Sequence, residues 1–303
     1  MITLKVPATT ANLGSGFDTL GMALSLYNIF TVKELLPAGE YSCEVWGEGV
    51  NELKDARKNM IVTSYLKACT EWNIEPSGFA FESCNAVPLN RGLGSSSTAV
   101  VAGVMIADIL SGKKHPEAEL LRVMTKIEGH PDNVVPCCIG GMTVSCWDGE
   151  SLRYVRLPAL PDDLNVIAAV PDFEVHTEDA RRILPDSVPF RDAVFNVSHA
   201  SILCAAWAMG RWDLLRVGME DRLHQTHRAK LFPGSTGEKF FSEIANHPDC
   251  VATAISGSGP TMIAIVHGKA GKLSEAMCRI FTEGGAASHF FVLNCASSGT
   301  VAE

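Results

Sequence analysis

A glycine- and serine-rich loop, Pro88–Ser97, is the feature that most restricts how this chain can fold. It follows a predicted strand, Phe79–Cys84, in which apolar and polar residues alternate, and it precedes a predicted helix, Ala99–Leu110. Where a loop enters a helix, free backbone N–H groups and the positive end of the helix dipole attract anions. The segment therefore predicts a strand–loop–helix unit whose loop binds a phosphate group.

The residue types of this loop suit a nucleoside triphosphate. Gly92 and Gly94 would let the backbone approach phosphate oxygens, and Ser95, Ser96 and Ser97 add hydroxyl groups, of which one would reach a magnesium ion. Familiar motifs do not match, because the third glycine of GxGxxG falls on Ser97 and neither a Walker-type loop nor GxSxG is present. Taken alone, the loop also fits a plain turn followed by a serine-capped helix.

The length of 303 residues exceeds what one hydrophobic core usually organises, which favours two packed units of roughly 150 residues each. Apolar residues make up 47 % of the chain and charged residues 19 %, a balance that supplies enough apolar mass for two cores. Gly149, Pro158 and Pro161 interrupt the pattern between Asp148 and Pro161. We therefore predict one domain over residues 1–155 and a second over residues 156–303.

Hydrophobic periodicity predicts a mixture of strands and helices, which indicates an α+β fold. The predicted strands are Ile2–Val6, Leu24–Glu34, Phe79–Cys84, Gly141–Trp147, Leu164–Val170, Val251–Ile255, Met262–Val266 and Ser288–Asn294. The predicted helices are Ile61–Trp72, Ala99–Leu110, Pro116–Glu128, a helix capped by Thr177, Phe190–Met209, Trp212–Leu223 and Ala270–Glu283. The small polar run Ala8–Gly16 is predicted to be a loop.

Net charge and hydropathy exclude several classes of protein. Lys and Arg number 25 against 34 Asp and Glu, a net charge of −9, and no basic run could follow a nucleic-acid backbone. No apolar stretch reaches the ~18 residues of a membrane span, since the run after Ser97 is broken at Asp108. Because no signal-peptide pattern precedes Ile2, we expect a soluble, cytoplasmic protein without nucleic-acid or membrane partners.

The cysteines and histidines do not predict a disulfide framework or a zinc site. The 10 cysteines contain no CxxC motif, only the adjacent pair Cys137 and Cys138, and we expect reduced core thiols. His224 and His227 lie near each other on a predicted helix, but no second cluster supplies the missing ligands. We therefore expect both histidines to lie at the surface.

Three segments resemble the GHMP small-molecule kinases. Pro88–Ala99 is similar to the phosphate-loop signature of that family, with an intact Gly-Leu-Gly-Ser-Ser core, although Ser97 and Thr98 stand where small residues such as alanine are common. Pro7–Gly21 resembles the first motif of the homoserine kinase family in particular, and Ser256–Thr261 resembles the third GHMP motif. Because these segments lie far apart, the resemblance covers essentially the whole chain.

The resemblance implies a two-domain α+β fold, with a left-handed βαβ unit in the amino-terminal domain and a ferredoxin-like carboxy-terminal domain. It also implies transfer of the ATP γ-phosphoryl group to the side-chain hydroxyl of L-homoserine, on the route to threonine, and a homodimer of the kind common among relatives. Two alternatives stay open: a GHMP kinase acting on another alcohol, such as mevalonate or shikimate, and a catalytically inactive GHMP-like module that regulates by binding.

The same resemblance implies which residues bind the nucleotide and its metal ion. The ATP-binding residues would be Asn59 near the base, and Pro88, Arg91, Gly92, Leu93, Gly94, Ser95, Ser96 and Ser97 in the loop. Glu128 would coordinate Mg²⁺ together with Ser96. Glu128 ends a predicted helix, where the helix dipole disfavours a carboxylate unless a cation lies nearby. The alternative is a helix-end acid paired with Lys126.

After Glu128, the stretch His130–Pro136 resembles the part of the family that lies beside the transferred phosphate, which implies His130 and Asn133 as catalytic residues. An asparagine cannot accept a proton as a carboxylate does, so this alignment favours direct attack by the substrate hydroxyl, with proton loss to the phosphate. Asp132 is the competing candidate base.

Residues implied to bind the substrate come from three segments. They are Asn12, Asp18, Thr177, Arg181 and Arg228, of which the two arginines are also implied as catalytic. Two guanidinium groups that converge on one carboxylate would orient an amino acid in the cleft. Arg182 is not among them, because adjacent residues on a helix point about 100° apart and Arg182 would therefore face away from Arg181.

Overall fold

Residues 1–268 and 271–303 are described by a computed structural model and form an α+β fold on two sheets. The strands are β1 (Ile2–Ala11), β2 (Leu20–Leu36), β3 (Tyr41–Gly47), β4 (Gly78–Asn85), β5 (Met142–Trp147), β6 (Leu152–Leu157), β7 (Leu164–Pro171), β8 (Cys250–Ile255), β9 (Met262–His267), β10 (Ser288–Leu293) and β11 (Val301–Ala302). The helices are α1 (Met60–Glu71), α2 (Ser95–Ser111), α3 (Glu117–Glu128), α4 (Pro131–Ile139), α5 (Thr177–Arg182), α6 (Phe190–Met209), α7 (Leu215–Gly218), α8 (Gln225–Arg228), α9 (Thr236–Lys239) and α10 (Gly271–Glu283).

The first sheet contains 7 strands, in the order β11-β1-β2-β4-β3, with β5 pairing both β2 and β6. Strands β3 and β4 run parallel and are connected through α1, whereas the other described pairs in this sheet are antiparallel. Helices α1 to α4 pack with the sheet around a core that includes Tyr65, Phe79 and Val101. Helix α2 is apolar around most of its circumference because it lies inside this core.

The second sheet contains 4 antiparallel strands in the order β10-β7-β9-β8. Numbered along the chain, this order is 4-1-3-2, and with α6 and α10 between the strands it gives the ferredoxin-like arrangement that the resemblance implies. Alternate residues of β7 face opposite sides: Val166 packs with Trp207 of α6, and Ile167 packs with Phe281 of α10. Helices therefore cover both faces, and β7 is apolar throughout.

The two sheets share one core cluster, which determines where the loops meet. Leu20 and Met22 of β2 are buried in the same cluster as Val166 of β7 and Trp207 of α6. As a result, the loops after β1 and β4, the start of α4, helices α5 and α8, and the loop between β8 and β9 surround one cavity.

Most of the predicted elements are confirmed. Helix Phe190–Met209 is present with the predicted bounds, and Ile61–Trp72 and Pro116–Glu128 correspond to α1 and α3. The last predicted helix is present from Gly271 to Glu283, and Ala270 lies outside the described residues. Strand β6 lies across the predicted domain boundary at residue 155 and pairs with β5, and the division into two domains stays a prediction.

Two predicted loops are shorter than expected. Strand β1 continues to Ala11, because Ala8–Ala11 pairs with Gly21–Leu24 of β2 after a register shift. Thr9 and Thr10 favour strands by themselves, whereas Ala8 and Ala11 do not and are held in the sheet by the partner strand. Helix α2 begins at Ser95, four residues before the predicted start, and its first turn is closed by the Thr98 hydroxyl bonding to the Ser95 carbonyl at 2.7 Å.

The prediction of one helix over Trp212–Leu223 is wrong. A single 3₁₀ turn and the short α7 replace it, and the chain turns after Gly218. A Cβ atom on Gly218 would lie 2.8 Å from the Cα of Leu203, so α7 packs closely on α6 there. The Asp221 carboxylate then accepts the backbone N–H groups of Leu223, His224 and Gln225, which redirects the chain into α8.

Two further expectations need correction, and several elements were not foreseen. Thr177 is the first helical residue of α5, and His176 occupies the capping position. The described cysteines are all free, as expected, but Cys84 and Cys146 are exposed and are therefore not core thiols. Strands β3, β6 and β11, helices α4 and α9 and the bounds of α8 were not predicted. None of the described helices is long and apolar enough to cross a membrane.

Candidate active site

One cavity of about 330 Å³ brings most of the predicted site residues together. The predicted residues that line it are Asn12, Asp18, Arg91, Gly92, Gly94, Ser95, Ser96, Ser97, Glu128, His130, Asn133, Thr177, Arg181 and Arg228. Three predicted residues lie elsewhere. Pro88 and Leu93 are buried beneath the loop, and Asn59 lines a neighbouring cavity.

The three glycine-rich segments are joined to one another by hydrogen bonds. The Ser256 hydroxyl lies 2.6 Å from the Gly92 carbonyl and 2.9 Å from the Thr10 hydroxyl. The Asn12 side chain donates to the Gly257 carbonyl at 2.8 Å, and the Gly257 N–H donates to the Ala11 carbonyl at 3.0 Å. Segments far apart in sequence therefore form a single wall of the cavity.

The phosphate loop has the backbone geometry of an anion site. Gly94 precedes α2 with a φ of 71°, and its helix end has no side-chain cap, so the first N–H groups of α2 are free for a ligand. Gly92 has a φ of 75°, and a Cβ atom there would lie 2.2 Å from the Ser256 carbonyl oxygen. Glycine is therefore required at position 92 both by conformation and by the approach of the Ser256 segment.

Arg91 supports the loop from behind. Its guanidinium donates to the carbonyl groups of Pro171 and Asp172 at 2.9 and 2.8 Å, and it pairs with Glu174 at 3.0 Å. These contacts tie the phosphate loop to the end of β7. Most of the donors of Arg91 are thus used within the protein, although the residue borders the cavity.

Glu128 faces the serines of the phosphate loop. The Ser97 hydroxyl lies 2.8 Å and the Ser96 hydroxyl 3.2 Å from Glu128 Oε1. Lys126, the alternative partner, pairs instead with Glu71 at 2.7 Å. In the described residues, no three His, Cys, Asp or Glu side chains form a metal site by themselves. Glu128 and the serines supply hard oxygen donors, which Mg²⁺ prefers. A Mg²⁺ ion bound there would complete its coordination shell with phosphate oxygens and water.

His130, Asp132 and Asn133 form a connected group at the start of α4. His130 Nδ1 and Asp132 Oδ1 are 2.6 Å apart, and the Asn133 Oδ1 atom accepts from the Thr9 hydroxyl at 2.7 Å. Burial by itself lowers the pKa of His130, but the hydrogen bond to Asp132 and the negative charges of Asp132, Glu128 and Asp18 outweigh it, so the pKa is raised.

Asp18 and Arg181 form a bidentate ion pair. Both N···O distances are 2.9 Å, and the two side chains are 34 and 40 % exposed. The sequence predicted both as substrate-binding residues and did not predict that they pair with each other. Their planar fork geometry gives a fixed arrangement in which a cation-binding and an anion-binding group stand side by side.

Arg228 is almost fully buried, with 2 % of its surface exposed. Its Nε atom donates to the Ala180 carbonyl at 3.2 Å, its Nη1 atom donates to the Gly257 carbonyl at 2.9 Å, and its guanidinium lies 5.1 Å from the centre of the Phe17 ring. Burial lowers the pKa of Arg228 to about 10, against the opposing effect of Asp18. The side chain is therefore still a cation at neutral pH.

A second cavity of about 350 Å³ adjoins the phosphate loop on the side of α1. Phe30 and Leu53 give it apolar surface, and Asn59, Asn85 and Ser96 give it polar groups. The Asn59 side chain accepts from the Ile61 N–H at 3.0 Å and donates to the Leu53 carbonyl at 3.2 Å. Asn59 thus caps α1 and holds the wall of this cavity, which has the size and mixed polarity of a nucleoside site.

Sequence reasoning missed several residues of the site. Lys67 of α1 and Ser258 line the first cavity, and Thr9 orients Asn133. Lys67 lies on a helix that carried no motif, and only the packing of α1 beside α2 places it there. His224, expected at the surface, is completely buried, so that expectation is wrong.

Comparison with known proteins places the chain among small-molecule kinases. A family model described as GHMP kinases N terminal domain matches residues 59–141. A homoserine kinase from Carboxydothermus hydrogenoformans is 40 % identical, over 89 % of this chain and 87 % of the relative. A homoserine kinase from Aquifex aeolicus is 37 % identical, over 93 % of each chain.

Solved structures agree with these relatives. The crystal structure of homoserine kinase from Cytophaga hutchinsonii superposes with a TM-score of 0.82 and 28 % identity, over 100 % of this chain and 97 % of that chain. Galactokinase from Lactococcus lactis superposes with a TM-score of 0.73 over 99 % of this chain and 95 % of that chain. Its identity of 14 % shows a shared fold alone.

Proposed function

Because this chain belongs to the homoserine kinase family of the GHMP kinases, we propose that it transfers the γ-phosphoryl group of ATP to the side-chain hydroxyl of L-homoserine. The product would be O-phospho-L-homoserine, on the route to threonine. The homodimer and the cytoplasmic location expected from the sequence remain predictions.

The observation that carries this proposal is that a phosphate loop and a pair of arginines share one cavity. The loop residues Gly94 and Ser96 line the same 330 Å³ space as Asp18, Arg181 and Arg228. A phosphoryl donor at the loop and an amino acid at the arginines would therefore lie within reach of each other. Such positioning and charge neutralisation are the main sources of catalysis in phosphoryl transfer.

The phosphates would be bound by the free N–H groups at the start of α2 and by Lys67. Glu128 and Ser96 would hold Mg²⁺, in agreement with the oxygen donors that converge there. The ion would supply charge neutralisation on the phosphate oxygens. The neighbouring cavity beside Asn59 and Phe30 would hold the nucleoside.

The polar ends of homoserine would be recognised by groups of opposite charge. The ammonium group would lie against Asp18, and the carboxylate would face Arg181 and Arg228, with Asn12 and Thr177 at the edge of the same space. The pairing of Asp18 with Arg181 supports this arrangement only in that it brings a carboxylate and a guanidinium to the same part of the cavity. The zwitterion would have to exchange with this pair to bind both groups.

The hydroxyl of homoserine would attack the γ-phosphorus directly. Its oxygen forms the new P–O bond, the bond from the γ-phosphorus to the bridging oxygen of ADP breaks, and the proton passes to an oxygen of the transferred group. Thr9 donates to Asn133 Oδ1 at 2.7 Å, and Asn133 Nδ2 lies 3.5 Å from Asp132 Oδ1, so the amide is held at the edge of the cavity. From there its N–H groups would donate to the reacting oxygens. Asp132, the alternative base, is already bonded to His130.

A coupled assay for ADP release tests the proposed substrate with L-homoserine, L-serine, L-threonine, mevalonate and shikimate. We expect a strong response to homoserine alone. Substitution Arg228→Lys keeps the charge but removes the fork, and it should lower kcat/KM for homoserine about 100-fold, with the KM for ATP little changed.

The control is Arg182→Lys, at an exposed arginine that pairs with Asp179 at 2.9 Å, and it should behave as the wild type. A response to another alcohol would mean a GHMP kinase with a different substrate. ATP binding without turnover on any alcohol would instead favour the regulatory module.

The role of Glu128 is tested by the magnesium dependence of the same assay. Glu128→Gln should raise the Mg²⁺ concentration for half-maximal activity about 10-fold or more, because it removes the anionic ligand. Glu117→Gln, at the opposite end of α3, is the matched control. An unchanged magnesium dependence in Glu128→Gln would exclude Glu128 as a ligand.

A further inference from the structure

His224 is a buried histidine that connects the first glycine-rich loop to Arg228. Its side chain is 0 % exposed, its Nε2 atom lies 2.8 Å from the Gly14 carbonyl oxygen, and its Nδ1 atom lies 3.4 Å from Arg228 Nη1. Gly14 belongs to the loop that carries Phe17 and Asp18. The imidazole therefore touches both segments that would recognise the substrate.

The partners of the imidazole determine its tautomer. A carbonyl oxygen only accepts hydrogen bonds, so the proton lies on Nε2, and Nδ1 then presents a lone pair to the guanidinium of Arg228. Burial, reinforced by the positive charge of Arg228, lowers the pKa of His224 despite the carboxylates of Asp221 and Asp18. The neutral imidazole is thus the form that fits between Gly14 and Arg228.

The backbone around His224 is held in place independently of the imidazole. The buried Asp221 carboxylate accepts the N–H groups of His224 and Gln225 at 2.9 and 2.7 Å, and it also accepts from the Asn196 side chain at 2.8 Å. The ring of Phe17 lies 5.1 Å from the imidazole. His224 is therefore a fixed element from which the position of Arg228 can be set.

The contacts of Arg228 leave one nitrogen for a ligand. Nε bonds to Ala180, and Nη1 faces both Gly257 and His224 Nδ1. Within residues 1–268 and 271–303, Nη2 has no hydrogen-bond partner, and Arg228 lines the cavity. The direction of Nη2 depends on how Nη1 is held, because the guanidinium is planar.

We propose that His224 is a positioning residue for substrate recognition: it accepts from Arg228 at Nδ1 and donates to Gly14 from Nε2, and so sets the spacing between the groups that bind the two polar ends of the substrate. This inference rests on the proposed function, in which Arg228 binds the carboxylate and Asp18 the ammonium group of an amino acid. In the alternative, His224 only fills a buried polar gap. It would then stabilise the fold without a specific effect on the KM for homoserine.

Two variants separate the two hydrogen bonds of the imidazole. In His224→Asn the side-chain oxygen can replace Nδ1 as the acceptor for Arg228, whereas in His224→Gln the side-chain N–H can replace Nε2 as the donor to Gly14. We expect His224→Gln to raise the KM for homoserine about 10-fold, with the KM for ATP unchanged. His224→Asn should stay within about threefold of the wild type.

Equal effects of the two variants on the KM for homoserine, or effects that follow their loss of thermal stability, would overturn the proposal. If the wild type does not phosphorylate homoserine, the proposed function fails. In that case ¹⁵N NMR of the histidine ring nitrogens still decides the inference. A proton on Nε2 and a bare Nδ1 are expected, together with a shift of the Nδ1 signal in Arg228→Lys. A proton on Nδ1 would contradict it.

Discussion

The charge of His130 is controlled by the carboxylates around it more than by its burial. Its raised pKa means that the folded protein favours the protonated form, mainly through Asp132. A raised pKa in the folded state contributes stability below the ordinary histidine pKa of about 6.5. That contribution is lost as the pH rises through the higher value of the folded protein.

The stability that His130→Asn loses relative to the wild type should therefore depend on pH. We expect the loss in free energy of unfolding to be larger near pH 6 than near pH 9, values on either side of the histidine range. Urea unfolding at both pH values measures it. His267→Asn, at a side chain that is 64 % exposed, is the control and should leave stability unchanged. An equal loss at both pH values would contradict the assignment of a protonated His130.

At the scale of elements, the phosphate loop and α2 depend on glycines at both ends of the segment. Gly92 and Gly112 have φ values of 75° and 68°. A Cβ atom at Gly92 would collide with the Ser256 carbonyl at 2.2 Å, whereas nothing lies within 4 Å at Gly112, the residue that ends α2. Both positions require a left-handed backbone conformation, but only Gly112 has room for a Cβ atom.

Alanine substitution should separate these two effects. Gly112→Ala should cost about 1–2 kcal/mol, the price of a left-handed conformation for an L-residue. Gly92→Ala should cost more, because the backbone must move, and should also raise the KM for ATP. Urea unfolding and the ADP-release assay measure both quantities. Equal costs and an unchanged KM would mean that the Ser256 segment does not pack on the loop.

Helix α4 illustrates why local patterns miss some elements. Pro131 is at a favourable first position, but Pro136 lies inside the helix and has no N–H to give to the Asp132 carbonyl. That carbonyl instead lies against Gly21 of β2, where a Cβ atom would be only 1.6 Å away. The helix that carries Asn133 is thus held by the sheet rather than by its own propensity.

For the molecule as a whole, Ser256 connects three distant segments. Its hydroxyl contacts Thr10 and Gly92, and both it and Ser274 are fully buried. Ser274 also makes one short hydrogen bond, 2.8 Å to the Gly271 carbonyl, but within α10 and away from the cavity. Replacing either serine by alanine therefore removes the same buried hydroxyl group, at the cavity for Ser256 and away from it for Ser274.

Ser256→Ala and Ser274→Ala should each cost about 1 kcal/mol of stability, because each removes a buried hydroxyl and its hydrogen bond to a backbone carbonyl. Only Ser256→Ala should lower kcat/KM, and it should do so for both ATP and homoserine, since it loosens the wall that both substrates share. Thermal unfolding and steady-state kinetics test this. A normal kcat/KM in Ser256→Ala would show that the three segments keep their positions without this contact.

The sequence by itself determined the local features of this protein. The loop Pro88–Ser97 between a strand and a helix, and helices such as Phe190–Met209, follow from turn chemistry and hydrophobic periodicity, which act between neighbouring residues. Candidate residues that line the cavity, such as Glu128 and Arg228, could be named from the sequence because they stand in recognisable motifs.

Only the tertiary structure decided which of these residues meet. Asp18 and Arg181 pair across a separation of 163 residues, and Asn12 bonds to Gly257 across 245. The burial of His224 beside Arg228 depends on the same packing. Local sequence carries periodicity and turn signals, but a side chain finds its distant partner only when sheets and helices pack, since long-range contacts require the whole chain to be ordered.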